Sequence, residues 1–170
     1  MDTEFSGLHQ FTNIISIGII SECGKTFYAE FNDYDQMQID EWIKTHVIDN
    51  LYLTPFDNCA SYDEFRILGN KKDVADALSV WLKQFDKVQI WSDCLAYDWV
   101  LFCQIFGHAF NIPKNVHYIP FDLATLFEIK GFDSDTNREI YSQMQEDSKK
   151  HNSLWDAKVI KECYNKLIVL

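Results

Sequence analysis

Basic residues are scarce. Fifteen Lys plus Arg stand against 26 Asp plus Glu, a formal net charge of −11 over 170 residues. That balance argues against broad electrostatic binding of nucleic acid, whose phosphates favour a positive surface. Cysteines at C-x-x-C spacing are missing: Cys23, Cys59, Cys94, Cys103 and Cys163 are odd in number and scattered. No Cys/His cluster has ligand spacing, so zinc is unsupported, and the usage points to a reducing compartment. Cys103 and Cys163 fall among apolar neighbours and read as small buried hydrophobes. No apolar run is long enough to span a bilayer; the longest, Ile14 to Ile20, contains Ser16 and Gly18. Met1-Asp2-Thr3-Glu4 shows neither a basic n-region nor an apolar h-region, so no signal peptide is visible and a cytoplasmic location is expected. Repeats, linkers and low-complexity blocks are absent too, and residues 1–170 read as one domain.

What is present is a core. Hydrophobic residues make up 47% of the chain and aromatics 15%, enough to exclude wholesale disorder. Ile15, Ile17 and Ile19 alternate, as do Phe27, Ala29 and Phe31. Glu22-Cys23-Gly24-Lys25 between them is a turn signal, which predicts an antiparallel pair, preceded by a strand over Asp2 to Phe5. Helical stripes follow at Ile39, Ile43 and Val47, then at Val74, Leu78, Trp81, Leu82 and Phe85, with Asn70 or Asp73 as cap. Val88–Trp91 reads as a parallel strand of a β-α-β unit, and Val116–Ile119 as a second short strand closed by Pro120. Helices are expected over Tyr97–Phe106, Asp122–Ile129 and Ser153–Leu167. Residues 53–70 are the least patterned and read as a loop excursion. The sum is an α/β chain.

Three acidic features sit where burial is expected. Asp2 and Glu4, two apart on a strand, project from one face. Asp98 is in helical register with Phe102 and Ile105. Asp156 is in register with Ile160, Cys163 and Leu167. A lone buried carboxylate costs several kcal/mol or protonates, and several converging ones repel each other further. A divalent cation resolves both difficulties. His151, five residues before Asp156 and just outside the helix start, adds an imidazole suited to deprotonating water. Each piece alone also fits a solvated acid, a first-turn helix acid or a surface histidine. Their order is what carries meaning.

That order resembles the DEDD exonuclease superfamily: D-x-E on an N-terminal strand, Tyr97-Asp98 opening a mid-chain helix, His151-x-x-x-x-Asp156 opening the last helix. The final histidine is similar to that of the DnaQ-like DEDDh branch, which has a ribonuclease H-like fold. The text is closer still to the bacterial and phage 3′-5′ exoribonucleases of the RNase AS type. Asp2-Thr3-Glu4-Phe5 with Ile15-Ser16-Ile17-Gly18 resembles that family's opening. So do Trp42-Ile43-Lys44-Thr45-His46-Val47, Ala96-Tyr97-Asp98 with Cys103-Gln104 and Gly107, and His151-Asn152-Ser153-Leu154-Trp155-Asp156-Ala157.

The resemblance implies a mixed sheet of about five strands, the first three antiparallel, flanked by helices. It implies two Mg²⁺ or Mn²⁺ ions, with Asp2 bridging both, Glu4 and Asp156 completing the first site, and Asp98 supporting the pair directly or through water. His151 would deprotonate the attacking water. Phe5, Ser6, Gly7 and Leu8 would line the terminal-nucleotide pocket. The expected partner is the 3′ end of single-stranded RNA in a bacterial or phage-infected cell, with a homodimer as a possible assembly. Two other readings stay open: a single-stranded DNA exonuclease, and a non-catalytic module that keeps the fold to bind nucleic acid or protein. One departure concerns the first strand, since the family carries an apolar stretch before the first Asp where this chain has only Met1; a shortened strand would hold Asp2 less firmly. The polar segment 133–150, with Arg138, Lys149 and Lys150 offering charge to phosphate, is expected to bring His151 in when a strand binds.

Overall fold

The computed structural model describes residues 1–146 and 149–169. Strands β1 (Asp2–Phe5), β2 (Ile14–Ile20) and β3 (Thr26–Phe31) form an antiparallel meander. The β2–β3 turn closes where expected: Gly24 takes φ +93, and the Ser21 and Gly24 amides donate to the Lys25 and Ser21 carbonyls. The chain then forms helix α1 (Glu41–His46), whose Asp40 cap accepts from the Ile43 amide at 2.7 Å.

The stretch 53–70 is not a loop excursion. It contains β4 (Cys59–Ala60) and β5 (Glu64–Gly69), and β5 pairs in parallel with β3, giving the order β1-β2-β3-β5-β4. Phe65 and Ile67 alternate into the core, but the run is short and begins in polar residues. Its partner strand lies some 38 positions away (Thr26 with Glu64), so local periodicity could not reveal it.

Helix α2 (Lys71–Leu82) follows, capped by Asn70, with Val74, Leu78, Trp81 and Leu82 buried. The two strands expected at 88–91 and 116–119 are displaced toward the C-terminus. Strand β6 (Trp91–Ser92) pairs in parallel with β7 (Phe121–Asp122) as a separate two-stranded sheet, and upstream only Val88 bridges Val116. Pro120 has no N–H to donate, so the chain bows out at Tyr118 and Ile119, both exposed, and rejoins at the Phe121 amide, which donates to Ile90 at 2.8 Å.

Helices α3 (Ala96–Ile105), α4 (Leu123–Ile129), α5 (Arg138–Ser142) and α6 (Ser153–Ile168) complete the fold. One sheet face, carrying Ile17, Ile19, Phe27, Ala29 and Phe31, packs with α2 and α3 in the main core. The other face meets α6, which closes a second core with α4 and α5 through Leu123, Phe127, Ile160, Cys163 and Leu167. Cys103 and Cys163 are buried and free, as expected of small hydrophobes. Among the described residues no helix is long and apolar enough to cross a membrane.

Candidate active site

Register brings the first two carboxylates to the α6 face. Asp2 lies opposite Gly18 and Glu4 opposite Ser16, and directly paired residues share a face. Those two partners are also where α6 docks. A Cβ on Gly18 would lie 2.3 Å from the backbone of Ser153 and Leu154, a separation no side chain tolerates. Ser16 and Ser153, both fully buried, share a hydroxyl hydrogen bond at 3.0 Å. The first turn of α6 therefore rests on bare strand backbone. Asn152 caps it, accepting from the Trp155 amide at 3.1 Å, which frees Asp156 from capping and turns it to the sheet. Oxygens of Asp2, Glu4 and Asp156 come within 4.8 Å of one another.

Asp98 stands beside this trio, only 5% exposed, on the first turn of α3. Its oxygens accept from the Thr3 hydroxyl at 2.5 Å and from the Ser92 hydroxyl, so it serves neither as helix cap nor as a solvated acid. Thr3 and Ser92 are buried site residues that sequence reasoning did not single out. Thr3 points away from Asp2 and Glu4 on the alternating strand, and its partner is 95 positions distant, so no spacing signal exists. Met1 ties the two sheets together: its ammonium donates to the Trp91 carbonyl at 2.8 Å, and its carbonyl accepts from Ser92 at 2.9 Å. Asp2 is thus anchored on both sides, and Met1 is 6% exposed.

The charges are strained together. Burial pushes Asp2 well above the usual carboxylate range, and Asp98, Glu4 and Asp156 push it further. Glu4 is pushed up to about 8 by burial and then by Asp156 and Asp98. Asp156 rises to about 7 through burial and Glu139. Asp98 is raised by burial, with the Ser92 and Thr3 hydroxyls pulling the other way. Neighbouring cations relieve the cluster only in part: the Met1 ammonium eases Asp2 and Asp98, and Lys150 eases Asp156. Arg138 forms a two-pronged pair with Asp93 at 2.9 Å and 2.9 Å and donates to the Thr136 and Ser134 carbonyls; Lys150 lies 3.8 Å from Glu139. Arg138 is therefore committed to its own loop, and Lys149 to Glu146 and the Trp155 ring.

A pocket of about 300 Å³ opens on the cluster, bordered by Asp2, Asp156, Glu139, Lys150, His151 and Arg138. The larger groove, about 630 Å³, runs between Ile19–Ser21 and Val88–Trp91 and has one carboxylate in its lining, Glu22, whereas Asp2, Asp156 and His151 border the smaller pocket. His151 reaches the pocket from a turn, with φ +61, a left-handed shape costing a non-glycine residue about 1–2 kcal/mol. Burial, then Lys150 and His46, lower its pKa, which keeps the imidazole neutral and able to accept a proton. It already borders the carboxylates here. Of the segment 133–150, residues 147 and 148 lie outside the described residues.

Phe5 to Leu8 diverge. Phe5 stacks on Tyr97 with centroids 5.3 Å apart. Ser6 turns inward, 3% exposed, its hydroxyl bonding Gln38 at 2.5 Å and the Asn13 amide at 2.8 Å. Gly7 takes φ +152, and Leu8 is 79% exposed.

Asp2 and Glu4 on the mixed sheet thus meet Asp156 from α6, with buried Asp98 beside them and His151 on the same small pocket, a set of hard oxygen donors suited to divalent cations. Over residues 1–168 the chain matches the 3′-5′ exoribonuclease Rv2179c-like domain, and it belongs to that family. It is similar to two 3′-5′ exoribonucleases of Mycobacterium tuberculosis: Rv2179c of strain ATCC 25618 / H37Rv and MT2234.1 of strain CDC 1551 / Oshkosh. Each is 28% identical over 130 residues, covering 76% of this chain and 73% of theirs.

Proposed function

We propose that residues 1–170 act as one exonuclease domain that removes nucleoside 5′-monophosphates from the 3′ end of single-stranded RNA. The observation that carries this reading is the convergence of Asp2, Glu4 and Asp156 within 4.8 Å, beside buried Asp98 and next to His151. The donor set fits divalent cations. All its atoms are hard oxygens, and the raised pKa values of Glu4 and Asp156 mark an unmet demand for positive charge. Asp2, Glu4 and Asp156 would hold two Mg²⁺ or Mn²⁺, with Asp98 supporting them. Bound cations supply charge neutralisation and orientation for the attacking and leaving oxygens of an in-line displacement.

The chain's own residues do the rest. His151, neutral at pH 7, takes the proton of the attacking water on a ring nitrogen. The water oxygen bonds to the last phosphorus while the bond to the upstream 3′ oxygen breaks; that oxygen takes a proton from solvent to become the new 3′-hydroxyl, and the phosphate leaves on the released nucleotide. Asp98, held by Thr3 and Ser92, would support the cations directly or through water. Phe5, Gly7 and Leu8 would receive the terminal nucleotide, with Ser6, whose hydroxyl bonds Gln38 and the Asn13 amide, supporting their turn from inside. A homodimer remains part of the proposal, to be read from sedimentation in solution.

The test is digestion of an end-labelled RNA, with products resolved by length and a matched DNA oligomer alongside. Stepwise shortening from the 3′ end, dependent on Mg²⁺ or Mn²⁺ and lost in Asp156→Asn, is expected. Activity that survives that substitution sinks the proposal, and equal DNA digestion would remove the RNA preference.

A further inference from the structure

We infer that α1 and the residues following it are the positioning platform of His151, with Trp42, His46 and Asn50 holding the turn that carries the imidazole at the mouth of the carboxylate pocket. This rests on the role given to His151 above. The starting point is an instability. His151 belongs to no helix or strand and stands in a left-handed backbone that a side chain disfavours, so something outside the turn must hold it.

The neighbours that hold it come from α1. Trp42 and His46 are four apart, on one helix face, and their rings stack with centroids 4.6 Å apart at 18°. The His46 Nδ1 lies 2.8 Å from the Trp42 carbonyl, which fixes that ring. His151 meets the stacked pair edge-on, 5.3 Å from Trp42 at 74° and 6.1 Å from His46 at 88°. Edge-to-face contact puts the positive rim of one ring against the negative face of another, so it favours one orientation rather than mere proximity. Beyond the helix end, the Asn50 amide donates to the His46 carbonyl at 2.6 Å and to the Lys150 carbonyl at 3.3 Å. That side chain ties the platform to the residue preceding His151. On the other side Lys150 reaches Glu139 at 3.8 Å, so the turn is held from two elements.

The platform is itself fixed. Ile43 of α1 and Val47 just past its end, about 100° round the helix from Trp42 and His46, are buried with Ile15 of β2. The same strand supplies Ser16 and Gly18, which seat α6 and hence Asp156. Base and carboxylates are therefore both referenced to β2, which sets their separation although they lie on different elements. Trp42 remains 53% exposed and His46 exposed, so neither ring is needed to fill a core. Their contact with His151 is what they have in place of burial.

The decisive variants are Asn50→Ala and Asn50→Asp, which remove the donor without touching the imidazole. The full-length protein is assayed for kcat and KM on single-stranded RNA, and for metal affinity by titration calorimetry. The ring carbon-bound proton signals of His151, identified by their loss in His151→Ala, are followed by NMR without metal. Losing the tie should lower kcat about tenfold, the scale of one net hydrogen bond. KM and metal affinity should stay within about twofold. The His151 signals should move from ring-current-shifted positions toward those of free histidine. Trp42→Leu should lower kcat similarly, and Trp42→Phe should restore most of it. Unchanged His151 signals in Asn50→Ala would overturn the inference. So would a rise in KM at full kcat in Trp42→Leu, which would make Trp42 a substrate wall instead. Should the wild-type protein digest no RNA, the NMR signals still decide the positioning, separately from the activity.

Discussion

The four carboxylates and the histidine are held in opposite ways. Asp2 and Glu4 stand on a paired strand, Asp98 and Asp156 on first turns of helices, and each is fixed by backbone register, a glycine contact or buried hydroxyls. His151 stands on a turn in a strained backbone, held by two aromatic rings and one amide at the surface. Groups that repel one another must be built into rigid elements, because any freedom would let them separate. The role proposed for His151, to accept a proton and meet each new substrate end, would tolerate a lighter hold. The contrast matches charge with rigidity.

Breaking the rigid half should have the largest effect. Asp156→Asn is expected to lower exonuclease activity by about a thousandfold, since a lost ligand forfeits several kcal/mol of charge stabilisation. The same variant should melt at a higher temperature than the wild type without metal, because one of the repelling buried charges is gone. A thermal melt in chelator checks this, and an unchanged or lower midpoint would argue against strain in the cluster.

Breaking the lighter half should cost rate alone. His151→Ala is expected to lower kcat by about 10² to 10⁴, the range of general-base contributions, with metal affinity unchanged in calorimetry. An equal loss of metal affinity would make His151 a ligand rather than a base.

Gly18→Ala tests the seat of α6. With Ser153 and Leu154 backbone at 2.3 Å, something must shift, for a loss of about 1–3 kcal/mol in urea unfolding. The displacement carries Asp156 away from Asp2, so metal affinity should fall together with stability. A destabilised protein with full metal affinity would separate the helix seat from the site.

The mildest lever is pH. Glu4 and Asp156 have folded pKa values of about 8 and about 7, above their unfolded values, so the folded state binds more protons. Their contribution to metal-free stability is complete below the unfolded values and declines as pH rises through about 7 to 8. Divalent cations should reverse that decline, and their binding at pH 6 to about 7 should release protons, seen as buffer-dependent heats in calorimetry. Stability that rises with pH in chelator would contradict the raised pKa values.

Much of this site was legible in the residues. Asp2 and Glu4 on a period-2 strand, and Asp98 and Asp156 in register with apolar stripes, mark carboxylates turned toward packing, and the structure turns them so. Less legible were features whose partners are far away in the chain. Strand β5 needed β3, the Asp98 hydroxyl partners came from Thr3 and Ser92, and Arg138, a candidate for phosphate, is consumed by Asp93. Local pattern cannot report such pairings, because a side chain's partner is chosen by the path of the whole chain. Pro120 did its work locally, yet where the parallel pairing resumed depended on which amides met Val88 and Ile90.

By itself, then, the sequence determined which apolar stripes of α2 and α6 face inward, where helices α2, α4 and α6 begin, and that four acids would be turned toward packing with one histidine just ahead of the last. These follow from periodicity and capping, which act over a few residues. Tertiary structure alone decided that three of the acids meet within 4.8 Å, that the fourth is shielded by hydroxyls, and that a strained histidine is kept in place by α1. Those distances depend on β2, whose small residues let α6 approach on one side of the pocket while Ile15 seats α1 on the other. Close approach of distant segments is a property of packing, and no local pattern encodes it.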